Sequence, residues 1–290
     1  MTALLFSILA STVIFVVFKL YPKFNINTLQ AIVINYVVAC CCGLYFQQTD
    51  FRVVEIPQNI WFPYTLILGV LFITVFLLMA ITTQRSGLSV VSVATKMSVV
   101  IPIIFGLIYY KEHLGILKFL GILLALIAVY LASIKKQEGL KIKPKNLIFP
   151  VLVFLGSGII DTTIKFLEGE FVAKDDTPLF SATIFFAAAI IGIVTLIFKA
   201  FRGKFQFEFK NVVGGIFLGI PNYFSIYFLV QALRSNIFES SGVFTINNVA
   251  IVLTSTFLGI LLFREKLLPK NWLGIVLAVI GIVLIASEKY

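Results

Sequence analysis

Long apolar runs, each broken off by a short polar or basic interval, recur along all 290 residues of the chain. Coiled as an α-helix, about 20 such residues span a hydrocarbon core about 30 Å thick. Ten stretches fit, at residues 2–20, 28–47, 60–81, 87–109, 114–134, 147–167, 178–200, 211–233, 240–263 and 270–287. The pattern predicts an all-α integral membrane protein with ten transmembrane helices. Most connections are short, and the two longer basic ones run from Lys135 to Asn146 and from Lys199 to Lys210. Trp61, Tyr64, Tyr109, Tyr110 and Trp272 lie near predicted helix ends, where amphipathic rings suit the headgroup level.

Composition points the same way. The chain is 60% hydrophobic and 12% charged, against about 25% charged in a soluble domain. Its mean hydropathy of +1.06 is spread over the whole length and not confined to one anchor. This argues for a multi-pass protein of the cell membrane with the lipid bilayer as its surroundings. The net charge of +10 does not signal nucleic acid, because the basic residues cluster between apolar runs. Cys40, Cys41 and Cys42 are consecutive, so on a helix they point about 100° apart and read as packing residues and not as a disulfide framework. No basic segment precedes the first run, so no cleavable signal peptide is expected.

Lysines and arginines are unevenly shared between the two faces. The loops after odd-numbered stretches carry fifteen, from Lys19, Lys23 and Arg85 to Arg264, Lys266 and Lys270. The opposite face carries six: Arg52, Lys111, Lys118, Lys174, Arg234 and Lys289. The positive-inside rule then makes the fifteen-residue face cytoplasmic and puts both termini outside.

The chain also repeats itself. A displacement of 153 positions sets Gly106 against Gly259, Lys111–Glu112 against Arg264–Glu265, and Leu120–Gly121–Ile122 against Leu273–Gly274–Ile275. A weaker match sets Ser11 and Lys19 against Ser157 and Lys165. Apolar helices match easily by chance, but matched glycines and basic–Glu pairs do not. The reading is two five-helix halves, residues 1–134 and 147–290, joined by a basic linker at 135–146. Five is odd, so the second half begins on the opposite side. That makes an inverted repeat, a transporter design with the substrate site near the midplane.

Ten spans, the five-plus-five duplication, and a glycine, apolar run and basic–Glu pair before the last helix of each half resemble the EamA family of the drug/metabolite transporter superfamily. The resemblance covers nearly the whole chain. It implies a secondary carrier with helices 1–4 and 6–9 around a central cavity and helices 5 and 10 at the periphery. It also implies cytoplasmic termini, opposite to the charge count.

Lys96 lies about nine residues into the fourth stretch, roughly 14 Å along a helix. An ammonium at that depth is costly and is retained for a partner or a substrate. Two readings stand: an anchor for an anionic group on the substrate, or half of an internal salt bridge. Asp161 follows about 21 Å into the sixth stretch. It can pair with Lys96 or with Lys165 at i+4, or couple protons; its repeat equivalent is Phe15. Asn247 and Asn248 fall opposite Ala94 and Thr95, so polar groups gather at symmetry-related depths; interhelical hydrogen bonds are the alternative. Asn222 and Tyr223 follow Pro221 in a glycine-rich helix, where the proline frees a carbonyl and permits a kink. Pro102 predicts a bend just beyond Lys96. Glu112 and Glu265 precede the last helix of each half and are expected to stabilise its N-terminus.

Catalytic chemistry has little support. There is one histidine, His113, with no HExxH, no phosphate-cradling glycine loop and no GxSxG. No catalytic residue, metal site or cofactor is assigned. The leading expectation is a secondary transporter moving a small organic metabolite with an anionic or zwitterionic group by alternating access. Lys96, Thr95, Asn247, Asn248, Asn222 and Tyr223 form the candidate substrate site, and Asp161 is the coupling or ion-pair residue. The alternatives are a membrane-embedded enzyme on a lipid substrate and a non-transporting scaffold. Covalent change of a solute would mark the first, and indifference to every solute the second. The oligomeric state is left open.

Overall fold

A computed structural model describes residues 1–47, 53–86, 94–133, 148–203, 205–235, 237–263 and 268–287. Regular structure among these residues is helical throughout. The first half contributes α1 (Thr2–Leu20), α2 (Thr28–Tyr45), α3 (Phe62–Ser86), α4 (Ala94–Tyr109) and α5 (Ile116–Ser133). The second contributes α6 (Ile148–Glu170), α7 (Thr177–Phe201), α8 (Phe209–Arg234), α9 (Ser240–Phe263) and α10 (Pro269–Ser287). Seven of these are long and apolar enough to cross a membrane: α1, α2, α3, α6, α7, α8 and α9. The other three contain shorter apolar spans among the described residues, Ala94–Tyr109, Ile116–Leu131 and Pro269–Ile285. The predicted start of the fourth stretch, residues 87–93, and the linker at 135–146 lie outside the described residues, as does Glu265.

Local chemistry sets several boundaries. Asn27 caps α2, its side-chain oxygen accepting from the Gln30 N–H at 3.3 Å. Pro178 occupies the first turn of α7, where its missing N–H costs nothing. In α4 the helical bonding breaks at Ser98 and Val99. Pro102 has no N–H to give the Ser98 carbonyl, which instead accepts from Ile101 at 2.9 Å. The helix is therefore interrupted just beyond Lys96, where a bend is expected.

Packing between the halves follows a rule. Contacts α1–α8, α1–α9 and α2–α8 have counterparts α6–α3, α6–α4 and α7–α3, each the image of the other when helix numbers shift by five. The pairs α2–α7, α4–α9 and α5–α10 are their own images. Among the described residues the α5–α9 and α9–α10 contacts depart from the rule, having no counterparts of comparable extent in α4–α10 and α4–α5. Helices are not driven together by apolar burial inside a bilayer, so small residues that admit close approach decide these contacts. A Cβ on Gly219 of α8 would lie 2.7 Å from the Asn35 carbonyl of α2. Where α5 crosses α10, a Cβ on Gly121 would lie 2.9 Å from the Gly281 carbonyl.

One core cluster gathers Tyr36, Trp61, Phe72, Phe180 and Phe185 between α2, α3 and α7. A second joins α1, α4 and α9 through Ile8, Val99, Ile103, Phe244 and Ile251. Trp61 corrects the sequence reading. It is 1% exposed and packs edge-on against Phe180 at 5.8 Å, so it is a core residue and not an interface ring. Tyr64, Tyr109 and Trp272 do face outward.

Candidate functional site

Lys96 lies on the short first piece of α4, just ahead of the break, and is 8% exposed. Its Nζ donates to Asn248 Oδ1 of α9 at 3.2 Å. The amide is held for this contact, since Asn248 Nδ2 donates to the Phe244 carbonyl one turn earlier at 3.0 Å. On another side, the Lys96 ammonium stands 5.2 Å from the centre of the Phe15 ring of α1. A ring face compensates a desolvated cation without neutralising it. An ammonium has three donors, and Asn248 is the one protein oxygen that receives one of them among the described residues.

Asp161 of α6 is close enough for its charge to act on Lys96. The two form no ion pair, and the Asp161 carboxylate makes no hydrogen bond among the described residues. Lys165 does not pair with Asp161 either. It turns to Glu168 at 3.8 Å and to the Tyr110 ring at 5.4 Å. Phe15, which the sequence shift sets opposite Asp161, meets the Lys96 ammonium with its ring, and Asp161 acts on it through charge alone. Shifting the chain on itself contained that signal, because it set those two residues opposite each other. It gave no hint that the ring itself would meet the ammonium.

The remaining candidates divide. Asn247 is 5% exposed and its Oδ1 has no partner among the described residues. Thr95 precedes Lys96 and its carbonyl accepts from Ser98 Oγ at 2.6 Å. Thr12 of α1 and Thr254 of α9 share a hydrogen bond of 2.7 Å, tying together two helices that flank Lys96. Asn222 and Tyr223 are not drawn into this group. Asn222 Nδ2 donates to Asn35 Oδ1 of α2 at 3.1 Å. Tyr223 is fully buried, stacked between Phe46 at 6.1 Å and Tyr227 at 5.7 Å, with no partner for its hydroxyl among the described residues. In this arrangement helix proximity gives Asn222 a cross-helix amide and Tyr223 two ring neighbours, apart from the Lys96 group.

Glu112 holds a helix N-terminus, as expected, but the wrong one was anticipated. Its carboxylate accepts from the N–H groups of Ser240 at 3.1 Å and Ser241 at 3.2 Å, and from both hydroxyls, at the start of α9. Lys118 pairs with Glu239 and lies 3.7 Å from Glu112. Glu168, near the end of α6, is bound by Arg234, which also donates to the Val172 carbonyl at 2.9 Å. These contacts fasten helix ends and leave the Lys96 group to itself.

An all-helical bundle with several membrane-crossing helices and a buried ammonium between them defines an integral membrane protein. The EamA-like transporter family model matches residues 1–134 and 147–287, and the chain belongs to that family. A protein of Haemophilus influenzae, described as uncharacterized, is 31% identical over 284 residues, covering 96% of this chain and 95% of its own. A crystal structure shares the fold with a TM-score of 0.78 over 98% of this chain and 94% of the other, at 12% identity.

Proposed function

We propose that this chain is a secondary transporter that moves a small organic metabolite with an anionic or zwitterionic group across the cell membrane by alternating access. The observation that carries the reading is the state of Lys96: desolvated, bonded to one neutral amide, and unpaired with the acid nearest to it in charge. A lysine serving only to join helices would close a salt bridge, since leaving a charge unpaired in a membrane interior is expensive. Remaining donors on the ammonium suit a carboxylate or phosphate oxygen.

In this proposal residues 1–134 and 147–290 are inverted five-helix repeats, joined by the linker at 135–146, and they move against each other around a central cavity. The pairwise exchange of helix contacts under a shift of five supports it. Lys96 holds the anion, Asn248 steers the ammonium, and Asn247 and Thr95 orient the rest of the solute. Asn222 and Tyr223 join the site when the Asn35–Asn222 bond opens. Asp161 carries the coupling proton or exchanges with the substrate as the counter-charge of Lys96.

A thermal-shift screen of metabolites on the purified protein identifies the solute, because a ligand that binds the folded state alone raises its stability. Counterflow in proteoliposomes with that solute then tests the assignment. Lys96→Ala is expected to abolish counterflow while inserting and folding normally. Full transport by that variant would sink the reading.

A further inference from the structure

The face of the bundle that holds the start of α1 carries a polar cavity of about 730 Å³. Ala3 of α1, Thr177 of α7, and Gln231 and Arg234 of α8 stand along its sides. Two rings line its inner end, Phe46 just after α2 and Tyr227 of α8. From Arg234 down to Tyr227 the wall formed by α8 descends about 10 Å.

Behind those rings is Tyr223, one turn deeper on α8 and fully buried. Its ring lies between theirs, 6.1 Å from Phe46 and 5.7 Å from Tyr227, tilted by only 14° and 18°. Three near-parallel rings thus stand between the cavity and the interior. Nothing directional pins the middle one, since the Tyr223 hydroxyl is buried without a partner among the described residues. A buried hydroxyl with no acceptor disfavours the arrangement that encloses it.

The other end of the same helix pair is fastened differently. The Asn27 N–H donates to Asn211 Oδ1, Asn211 Nδ2 to Gln30 Oε1, and Gln30 Nε2 to the Gln206 carbonyl, each at 2.8 Å. Asn211 and Gln30 are both buried. Where α2 and α8 begin, amides bond across the seam; where α2 ends, rings stack across it. Parting stacked rings breaks no hydrogen bond, so the cavity end is the one that yields more readily.

We propose that Tyr223 is the gate of the cavity face: with its ring in the stack the passage is shut, and with its ring withdrawn solute passes between cavity and interior. This rests on the transport reading and adds to it the residue that moves and the face that opens.

Cys42, one turn deeper than Phe46 on α2, lies near enough to Tyr223 to interact with it electrostatically, and so reports water behind the stack. Cys40→Ala with Cys41→Ala leaves it as the single thiol. In lipid nanodiscs its modification by a small anionic methanethiosulfonate is followed by mass spectrometry; a charged reagent arrives through water and not through hydrocarbon. With the open gate a minor state of about 10% or less, Tyr223→Ala and Phe46→Ala are each expected to raise the rate about tenfold or more. Tyr223→Phe retains the stack, drops the unpaired hydroxyl and is expected to react no faster than the parent. Phe46 is 40% exposed, so its truncation leaves the core intact even where Tyr223→Ala does not fold. The parent rate in either alanine variant that elutes as the native protein does overturns the gate. Faster modification in Tyr223→Phe overturns the part given to the hydroxyl. No solute enters this measurement, so its failure removes the gate and leaves counterflow by Lys96→Ala to decide the transport reading.

Discussion

Lys96 of α4 reaches Asn248 of α9 at 3.2 Å, so the bond crosses directly between the two halves of the chain. Its donor is charged and its acceptor is neutral, which leaves the charge uncancelled. Two substitutions separate these properties. Asn248→Ala removes the acceptor from a buried ammonium and is expected to lower stability by about 1–3 kcal/mol. Asn248→Asp offers a carboxylate in the same place, neutralises Lys96 and is expected to preserve or raise the unfolding temperature. Transport is expected to fail in both. Counterflow alongside thermal unfolding decides, and wild-type transport by Asn248→Asp would show that a free charge on Lys96 is not required.

Glu112 satisfies two N–H groups and two hydroxyls at the start of α9, far along the chain from its own position. Glu112→Ala is expected to destabilise the protein by about 1–3 kcal/mol through the lost cap. Gly106→Ala places a Cβ 2.9 Å from the same carboxylate and acts by displacing it. The two losses therefore share one cause. In a double-mutant cycle followed by thermal unfolding, the combined variant is expected to lose less than the sum. Additive losses would place the effect of Gly106→Ala elsewhere.

How far the sequence carried can be judged from particular residues. The limits of α1 and α9 coincide with their apolar runs, because bilayer thickness and helical rise alone define them. Lys96 stood out because cost at depth needs no partner to be noticed. Orientation about the helix axis was not legible. Trp61 carries the same amphipathic ring as Trp272, yet one is 1% exposed and the other 57%. In a helix apolar on every side, no polar stripe marks which face turns inward. Glu112 had the right chemistry and the wrong helix, since a side chain can cap any N-terminus that the fold brings near. Asn222 was set aside by its bond to Asn35, a pairing fixed by helix proximity and invisible in spacing.

The basic residues make a prediction about membrane orientation. With fifteen of them in the loops after odd-numbered stretches and six on the other face, the positive-inside rule predicts that the former loops are cytoplasmic. A reporter fused at the C-terminus is expected to be active only outside. Moving the charges should move the protein: neutralising Lys135, Lys136, Lys141, Lys143 and Lys145 together is expected to produce a mixed population. A cytoplasmic C-terminus in the unmodified chain would refute the charge argument.

Asp161 separates the remaining mechanisms. A shift of the chain on itself sets it opposite Phe15, whose ring meets the Lys96 ammonium, while Asp161 acts on that ammonium through its charge. If Asp161 carries a coupling proton, Asp161→Asn removes the dependence of uptake on an imposed pH gradient and leaves solute exchange running. If it serves only to balance the charge of Lys96, the asparagine leaves that ammonium less compensated, and exchange and gradient-driven uptake fall together. Asp161→Phe gives position 161 the residue that the sequence shift sets opposite it, Phe15, and replaces the carboxylate with a ring. It is expected to fold, because a ring face compensates a buried cation in part. Measuring uptake with and without the gradient in the same vesicles discriminates the two. Gradient-driven uptake that survives in Asp161→Asn at the wild-type rate would remove Asp161 from the coupling step.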